Sequence, residues 1–194
     1  MATLLIGLLL FLGVHSLRIV AEDWRQARIA QWGELPFKGL VAVVSLVGLW
    51  LVVSGYQEAR QSPVLLWSPP VATRHIASLL MWGAWVLLVA AYVPGNHLKA
   101  RLRHPMVISV KVWALAHLLA NGLLHQTLFF GVFLVWAVFN FRAARRRDQD
   151  RLTFAPPRST VSTVVVLLLG TVLWVAFVGR LHLWLIGVSP MGTV

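Results

Sequence analysis

Six apolar runs, each close to the length that crosses a bilayer, take up most of this 194-residue chain. They cover about residues 3–21, 36–56, 74–93, 105–122, 124–141 and 160–179, where roughly 20 residues suffice for a helix to span the hydrocarbon. Within lipid each backbone amide needs an internal partner, and a helix supplies one residue by residue. The expected fold class is therefore all-α: a single polytopic membrane domain over residues 1–194, built as a bundle of about six transmembrane helices. Only 12% of the residues are charged, about half the share of a soluble domain.

The punctuation fits that reading. Pro36 and Pro105 open their segments, where a missing N–H is harmless. Asn121-Gly122 marks a tight reversal that makes the fourth and fifth segments an antiparallel hairpin. Residues 1–21 lack a positive leader and an A-x-A cleavage site, so they are expected to remain as a mature helix. The tail from residue 180, with Leu181, Leu183, Trp184 and Ile186, is expected along the interface.

Charge sets the orientation. The first, third and fifth connections carry thirteen Lys and Arg (Arg18, Arg25, Arg28 and Lys38; Lys99, Arg101 and Arg103; Arg142, Arg145, Arg146, Arg147, Arg151 and Arg158), whereas the other side carries Arg60, Arg74 and Arg180. Positive loops stay in the cytoplasm, so both termini are expected on the non-cytoplasmic side of a bacterial inner membrane. The run 142–151 is then a solvated cytoplasmic loop. Trp24, Trp32, Trp67 and Trp184 fall near the boundaries as interfacial anchors. The same segregation argues against nucleic acid as the partner of a +11 chain, because the cations cap membrane segments rather than line a groove. The lipid bilayer is the expected partner.

Several chemistries are excluded. Without cysteine there is no disulfide, thiolate metal site or thiol nucleophile. All six carboxylates (Glu22, Asp23, Glu34, Glu58, Asp148 and Asp150) fall in connections, which argues against a proton-coupled pump. No internal repeat supports an inverted-repeat transporter.

Two histidines stand deep inside spans. His15 lies about three residues to the cytoplasmic side of its helix centre, and His117 three to four residues to the other side of its own. Their vertical offset is roughly 10 Å at 1.5 Å per residue. Two neutral imidazoles on different helices are what a bis-histidine haem needs, provided its plane tilts. Lys111 lies about seven residues into the fourth segment with no intramembrane carboxylate. It either snorkels to the surface or meets an anionic ligand, and haem propionates would serve. Arg18, one turn from His15, and His104, seven residues before Lys111, would join it in receiving them. Val110, Ala114, His117 and Asn121 share one helix face, and Ala114 would leave room for a flat macrocycle. The plainer alternative is that both histidines only hydrogen-bond neighbouring helices. His75, His97, His125 and His182 sit at segment ends and are expected at the interface. Asn121 is also placed to cap its helix. Phe129, Phe130, Phe133 and Trp136 have the spacing of a packing or lipid-facing stripe.

These residues carry a resemblance. FLGVHSLRI (11–19), SLVGLWLVVSGYQEAR (45–60), WSPP (67–70), RHP (103–105) and KVWALAHLLANG (111–122) are similar to the corresponding stretches of the NnrU family, over nearly the whole chain. Bacterial members are associated with denitrification and linked to nitrite and nitric oxide reductase function. The same domain occurs in plant ζ-carotene isomerase, a haem b membrane enzyme that converts a cis double bond to trans. Its ligand positions fall on His15, in His15-Ser16, and on His117, in the Trp113-x-x-Ala116-His117 motif. The resemblance thus implies a haem b-binding protein with His15 and His117 as iron ligands. The alternative it implies is a haem-dependent cis-trans isomerase of a polyene, such as ζ-carotene, or another long apolar substrate, and a small-molecule or polyene ligand is then an expected partner. The isomerase has a cysteine three residues before the second ligand. Here Ala114 stands there, so a redox-dependent ligand switch cannot operate through it. Arg103-His104-Pro105 is also similar to a motif of membrane isoprenylcysteine methyltransferases, but the usual tyrosine and glycine are absent from Met106-Val107-Ile108-Ser109. A non-catalytic assembly factor for denitrification enzymes is the remaining reading.

Overall fold

The computed structural model describes residues 1–149 and 158–192. Among these the regular structure is all helix, with no strand and one isolated bridge between Leu65 and Leu123. The elements are α1 (Ala2–Val20), α2 (Glu22–Trp32), α3 (Glu34–Gln61), α4 (Val71–Tyr92), α5 (His97–Leu102), α6 (Pro105–Ala120), α7 (Leu124–Gln149), α8 (Thr160–Ala176), a π-helical turn at Phe177–Leu181, and α9 (His182–Ile186). α1, α3, α4, α7 and the continuous 160–186 segment are long and apolar enough to cross a membrane, and α6 is a shorter apolar helix.

Two ends of the bundle are defined by contacts. At one end Thr3 donates to Glu58 at 2.8 Å, Arg60 donates to the Ile186 carbonyl at 3.0 Å, and the loop after α3 bridges the α6–α7 turn. At the other, Arg147 donates to the Arg18 carbonyl at 3.0 Å, Ser159 N–H to Gly95 at 2.8 Å, and His104 to Asp148 at 2.9 Å. α1, α3, α4, α6, α7 and α8 therefore run alternately up and down. All the described cations of the odd-numbered connections gather at the second, basic end.

Sequence expectations need correction at four places. The first loop contains α2, which starts on Glu22 and Asp23, carboxylates that suit a helix N-terminus, and stops at Gly33 with φ 88°. The third connection contains α5, capped by the fully buried Asn96, whose Oδ1 accepts from Lys99 N–H at 2.7 Å. The run at 142–151 is not a solvated loop as far as it is described: α7 continues through Gln149. Arginine is a good helix former and complements a helix C-terminus. Asp150 and Arg151 lie outside the described residues. The tail at 180–186 does not lie apart along an interface but prolongs the last span through the π turn; Thr193 and Val194 lie outside the described residues. α3 also begins two residues before Pro36, which still falls in the first turn where no N–H partner is lost.

Packing relies on close backbone approach. α1 crosses α3 at Gly7, Gly48 and Gly55, burying Leu4, Leu8, Leu12 and Val52. α8 crosses α4 at Gly170, where a methyl group would stand 2.7 Å from the Val86 Cα. Trp174 Nε1–H donates to the Ser78 carbonyl and Trp82 Nε1–H to Thr171, both at 2.9 Å. Ser109 on α6 donates to the Ala84 carbonyl of α4 at 2.7 Å. The aromatic stripe of α7 packs inward: Phe129, Phe133 and Trp136 lie against the α1–α3 core, and Phe130 is buried.

Candidate functional site

Each of the two histidines singled out, His15 on α1 and His117 in the last turn of α6, follows an aromatic residue by one helical turn. His15 Nδ1 lies 2.6 Å from the Phe11 carbonyl on α1, and His117 Nδ1 lies 2.8 Å from the Trp113 carbonyl on α6. Such a bond places the ring proton on Nδ1 and leaves the lone pair on Nε2. That is the tautomer in which a histidine ligates a metal through Nε2 while a backbone carbonyl fixes its orientation. Among the described residues neither Nε2 has a hydrogen-bond partner. His117 is held more firmly, because its own carbonyl accepts from both the N–H and Nδ2 of Asn121, at 2.9 and 2.8 Å. Asn121 is indeed the C-cap of α6.

The two imidazoles do not meet. α7 lies beside both, and its Phe133 touches Phe11 and Trp113, with ring centroids 6.2 and 5.4 Å away. α1 and α6 run in opposite directions, so one turn beyond this shared layer the histidines diverge. His15 lies against Trp136, 6.4 Å away, and His117 stacks on Phe130 at 4.4 Å and 23°. Trp136 and Phe130 are six residues apart on α7, about 9 Å along its axis. His15 is exposed on the outer face of the bundle, and Trp136 beside it has a buried indole N–H with no partner among the described residues. Ala114 is completely buried, so the space expected beside it is filled by packing.

The expected propionate receivers also separate. His104 is the N-cap residue of α6, and its Nε2 is engaged by Asp148, which Arg103 approaches at 3.7 Å. Lys111 Nζ stands 3.7 Å from the centre of the Phe141 ring, a cation–π contact. Arg18 is exposed at the end of α1. Lys111 lies about 9 Å from His117 along α6, and His104 about 20 Å. Of the two on α6, Lys111 is the nearer to His117.

Three features were missed at the level of sequence. His182, expected at an interface, lies 6.5 Å from His117 with the ring planes 21° apart. His125 is 1% exposed, packed edge-on to Tyr56 at 4.9 Å, with Nε2 buried and unpartnered among the described residues. A cavity of about 270 Å³ is lined by Ile19, Val20, Phe139, Arg142, Ala143 and Arg146 at the basic end. No group of three or more His, Asp or Glu with the spacing of a metal site occurs among the described residues.

A family model described as NnrU protein matches residues 3–190 of the chain, nearly its whole length. No curated protein and no solved structure gives a match.

Proposed function

This chain belongs to the NnrU family, and from that premise we propose that it is a haem b-binding protein of the bacterial inner membrane whose iron is held by His117. Under this reading the basic end faces the cytoplasm and both termini face away from it, as the positive-inside rule directs. The observation that carries the proposal is the bond from His117 Nδ1–H to the Trp113 carbonyl. It sets the tautomer, aims Nε2 away from its own helix, and does so among Trp113 and Phe130, whose rings suit the faces of a porphyrin. His15, with the same backbone bond to Phe11, is the other ligand that the family resemblance implies. The bound iron would supply redox or nitrogen-oxide chemistry, in keeping with the family's association with denitrification. An isomerase reading gains no support from position 114, where the side chain is a buried methyl group.

The test is optical. Purified from cells with ample haem supply, the full chain is expected to show a b-type spectrum, oxidised and reduced, that His117→Ala loses. A colourless wild-type protein would falsify the proposal. Lys111 adds a second check. If it receives a propionate, Lys111→Leu lowers the haem-to-protein ratio several-fold by pyridine haemochrome assay, since burying the macrocycle's anion then lacks its counter-charge. An unchanged ratio removes Lys111 from the site and leaves His117 in place.

A further inference from the structure

Toward the basic end α1 and α7 run side by side in the same direction, and the cavity of about 270 Å³ lies between them. Ile19 and Val20 of α1 line it, together with Phe139, Arg142, Ala143 and Arg146 of α7. The four α7 residues recur at i, i+3, i+4 and i+7, so they form one stripe along that helix. Deeper in the bundle the seam is closed, with Phe11 on Phe133 at 6.2 Å and His15 against Trp136 at 6.4 Å. At its outer end Arg147 clasps the two helices by donating to the Arg18 carbonyl at 3.0 Å. Sideways the slot is not covered by protein: Val20 is 80% exposed and Phe139 53%. On a membrane-spanning bundle such apolar exposure faces lipid chains.

The slot holds two guanidinium groups and no carboxylate. Arg142 and Arg146 are one turn apart on α7, a like-charge pair that repels. Among the described residues neither makes an ion pair or a hydrogen bond. The carboxylates of this end are engaged elsewhere: Glu22 by Arg25 at 3.2 Å, Glu34 by Lys38 at 2.7 Å, and Asp148 by His104 at 2.9 Å. Asp23 is exposed and makes no ion pair among the described residues. The missing partner is therefore an anion from outside the chain. Two arginine forks about 6 Å apart along a helix suit the oxygens of a phosphate. The remaining lining is apolar and suits methylene groups, so a phosphate carried on hydrocarbon chains satisfies both halves of the slot. A headgroup with its own ammonium would set that cation beside the guanidiniums, which favours an anionic lipid over a zwitterionic one. Arg145 does not line the slot; it stands about 100° around the helix from Arg146.

We propose that the α1–α7 slot binds one anionic glycerophospholipid of the leaflet at the basic end. Arg142 and Arg146 hold its phosphate, and the first part of its chains lies over Ile19, Val20, Phe139 and Ala143. Nothing in this depends on a bound iron. The test titrates the purified full chain in detergent with phosphatidylglycerol or phosphatidylcholine and counts bound lipids by native mass spectrometry. The first phosphatidylglycerol is expected to bind about ten-fold tighter than phosphatidylcholine, since each arginine near the headgroup contributes. The double variant Arg142→Gln with Arg146→Gln, which keeps helix propensity, is expected to lose that preference. Arg145→Gln, which removes an equal charge outside the slot, is expected to keep it. Equal losses in both variants would reveal a diffuse basic surface and overturn the proposal, as would a double variant that binds like wild type. Displacement of the lipid by millimolar inorganic phosphate at constant ionic strength would make this a site for the free anion, and would also overturn it. Should the double variant fail to fold, Ala143→Phe decides, because it fills the slot and keeps both charges. A lost preference there supports the lipid site, and an unchanged one refutes it.

Discussion

Replacing Gly55 by alanine is expected to destabilise the protein by about 2 kcal/mol, whereas the same replacement at Gly13 on the facing helix is expected to stabilise it by about 0.5 kcal/mol. The opposite signs come from what each new methyl group meets. At Gly55 it would overlap the Leu4 amide nitrogen, with the Leu4 Cα at 2.7 Å and the Thr3 carbonyl carbon at 2.8 Å. These are backbone atoms, which no rotamer change can move aside. Gly48 and Gly7 make the same kind of contact, against Phe11 N at 2.7 Å and Val52 N at 2.5 Å. A single methyl therefore forces α1 and α3 apart along their whole crossing. Within a membrane lipid competes equally well for apolar side chains, so helix association depends on such close approach. Gly13 has nothing within 4 Å of a built Cβ, and there alanine only removes backbone freedom from the unfolded chain. Unfolding of both variants in mixed detergent micelles measures the difference. Equal midpoints for the two would show that the crossing tolerates separation and that the glycines are incidental.

The spans were legible because their signal is an average over about twenty residues, which no single side chain can reverse. Helix punctuation was legible where it is chemical, as at Pro105 and Asn121. The misreadings share a cause. α2 and the end of α7 are polar, and polarity marks a segment as outside the bilayer without saying whether it is helical. Glu22, Asp23 and Gly33 did carry start and stop signals for α2, and the arginine-rich run is rich in helix formers. The candidate site was half legible. His117 was found because an imidazole inside an apolar run is conspicuous. His182 was passed over because the tail was read as lying apart from the last span. Depth held the missing clue. The fourth and sixth spans end on the same side, so His117 and His182 share a level, whereas His15 was already offset by roughly 10 Å. What sequence could not show is the π turn, since the phase of a helix after a bulge is set by its neighbours, here Trp85 and Arg60.

The site depends on a glycine outside any span, and Gly122→Ala is expected to cost about 3 kcal/mol and to lower the haem content with it. A methyl group there would run into the Trp67 carbonyl oxygen, with the Trp67 carbonyl carbon at 2.9 Å and the Pro69 Cδ at 3.1 Å. The loop after α3 lies this close because it is strapped to the α6–α7 turn. Gly122 O accepts from Leu66 N–H at 2.8 Å and Trp67 N–H at 3.3 Å, and Leu124 N–H donates to Val64 at 2.9 Å. Relieving the clash means lifting the strap and losing these bonds in a place where few other partners exist. The displacement is passed on through Asn121, whose N–H and Nδ2 both hold the His117 carbonyl. His117 is three residues from the end of α6, so a disturbed cap frays the turn that carries it. Gly131→Ala, on α7 with open space around its Cβ, is the matched control and should keep both stability and haem. Thermal unfolding and pyridine haemochrome assay of the two variants give the answer. A Gly122→Ala protein with wild-type stability and full haem would mean that the strap does not position His117.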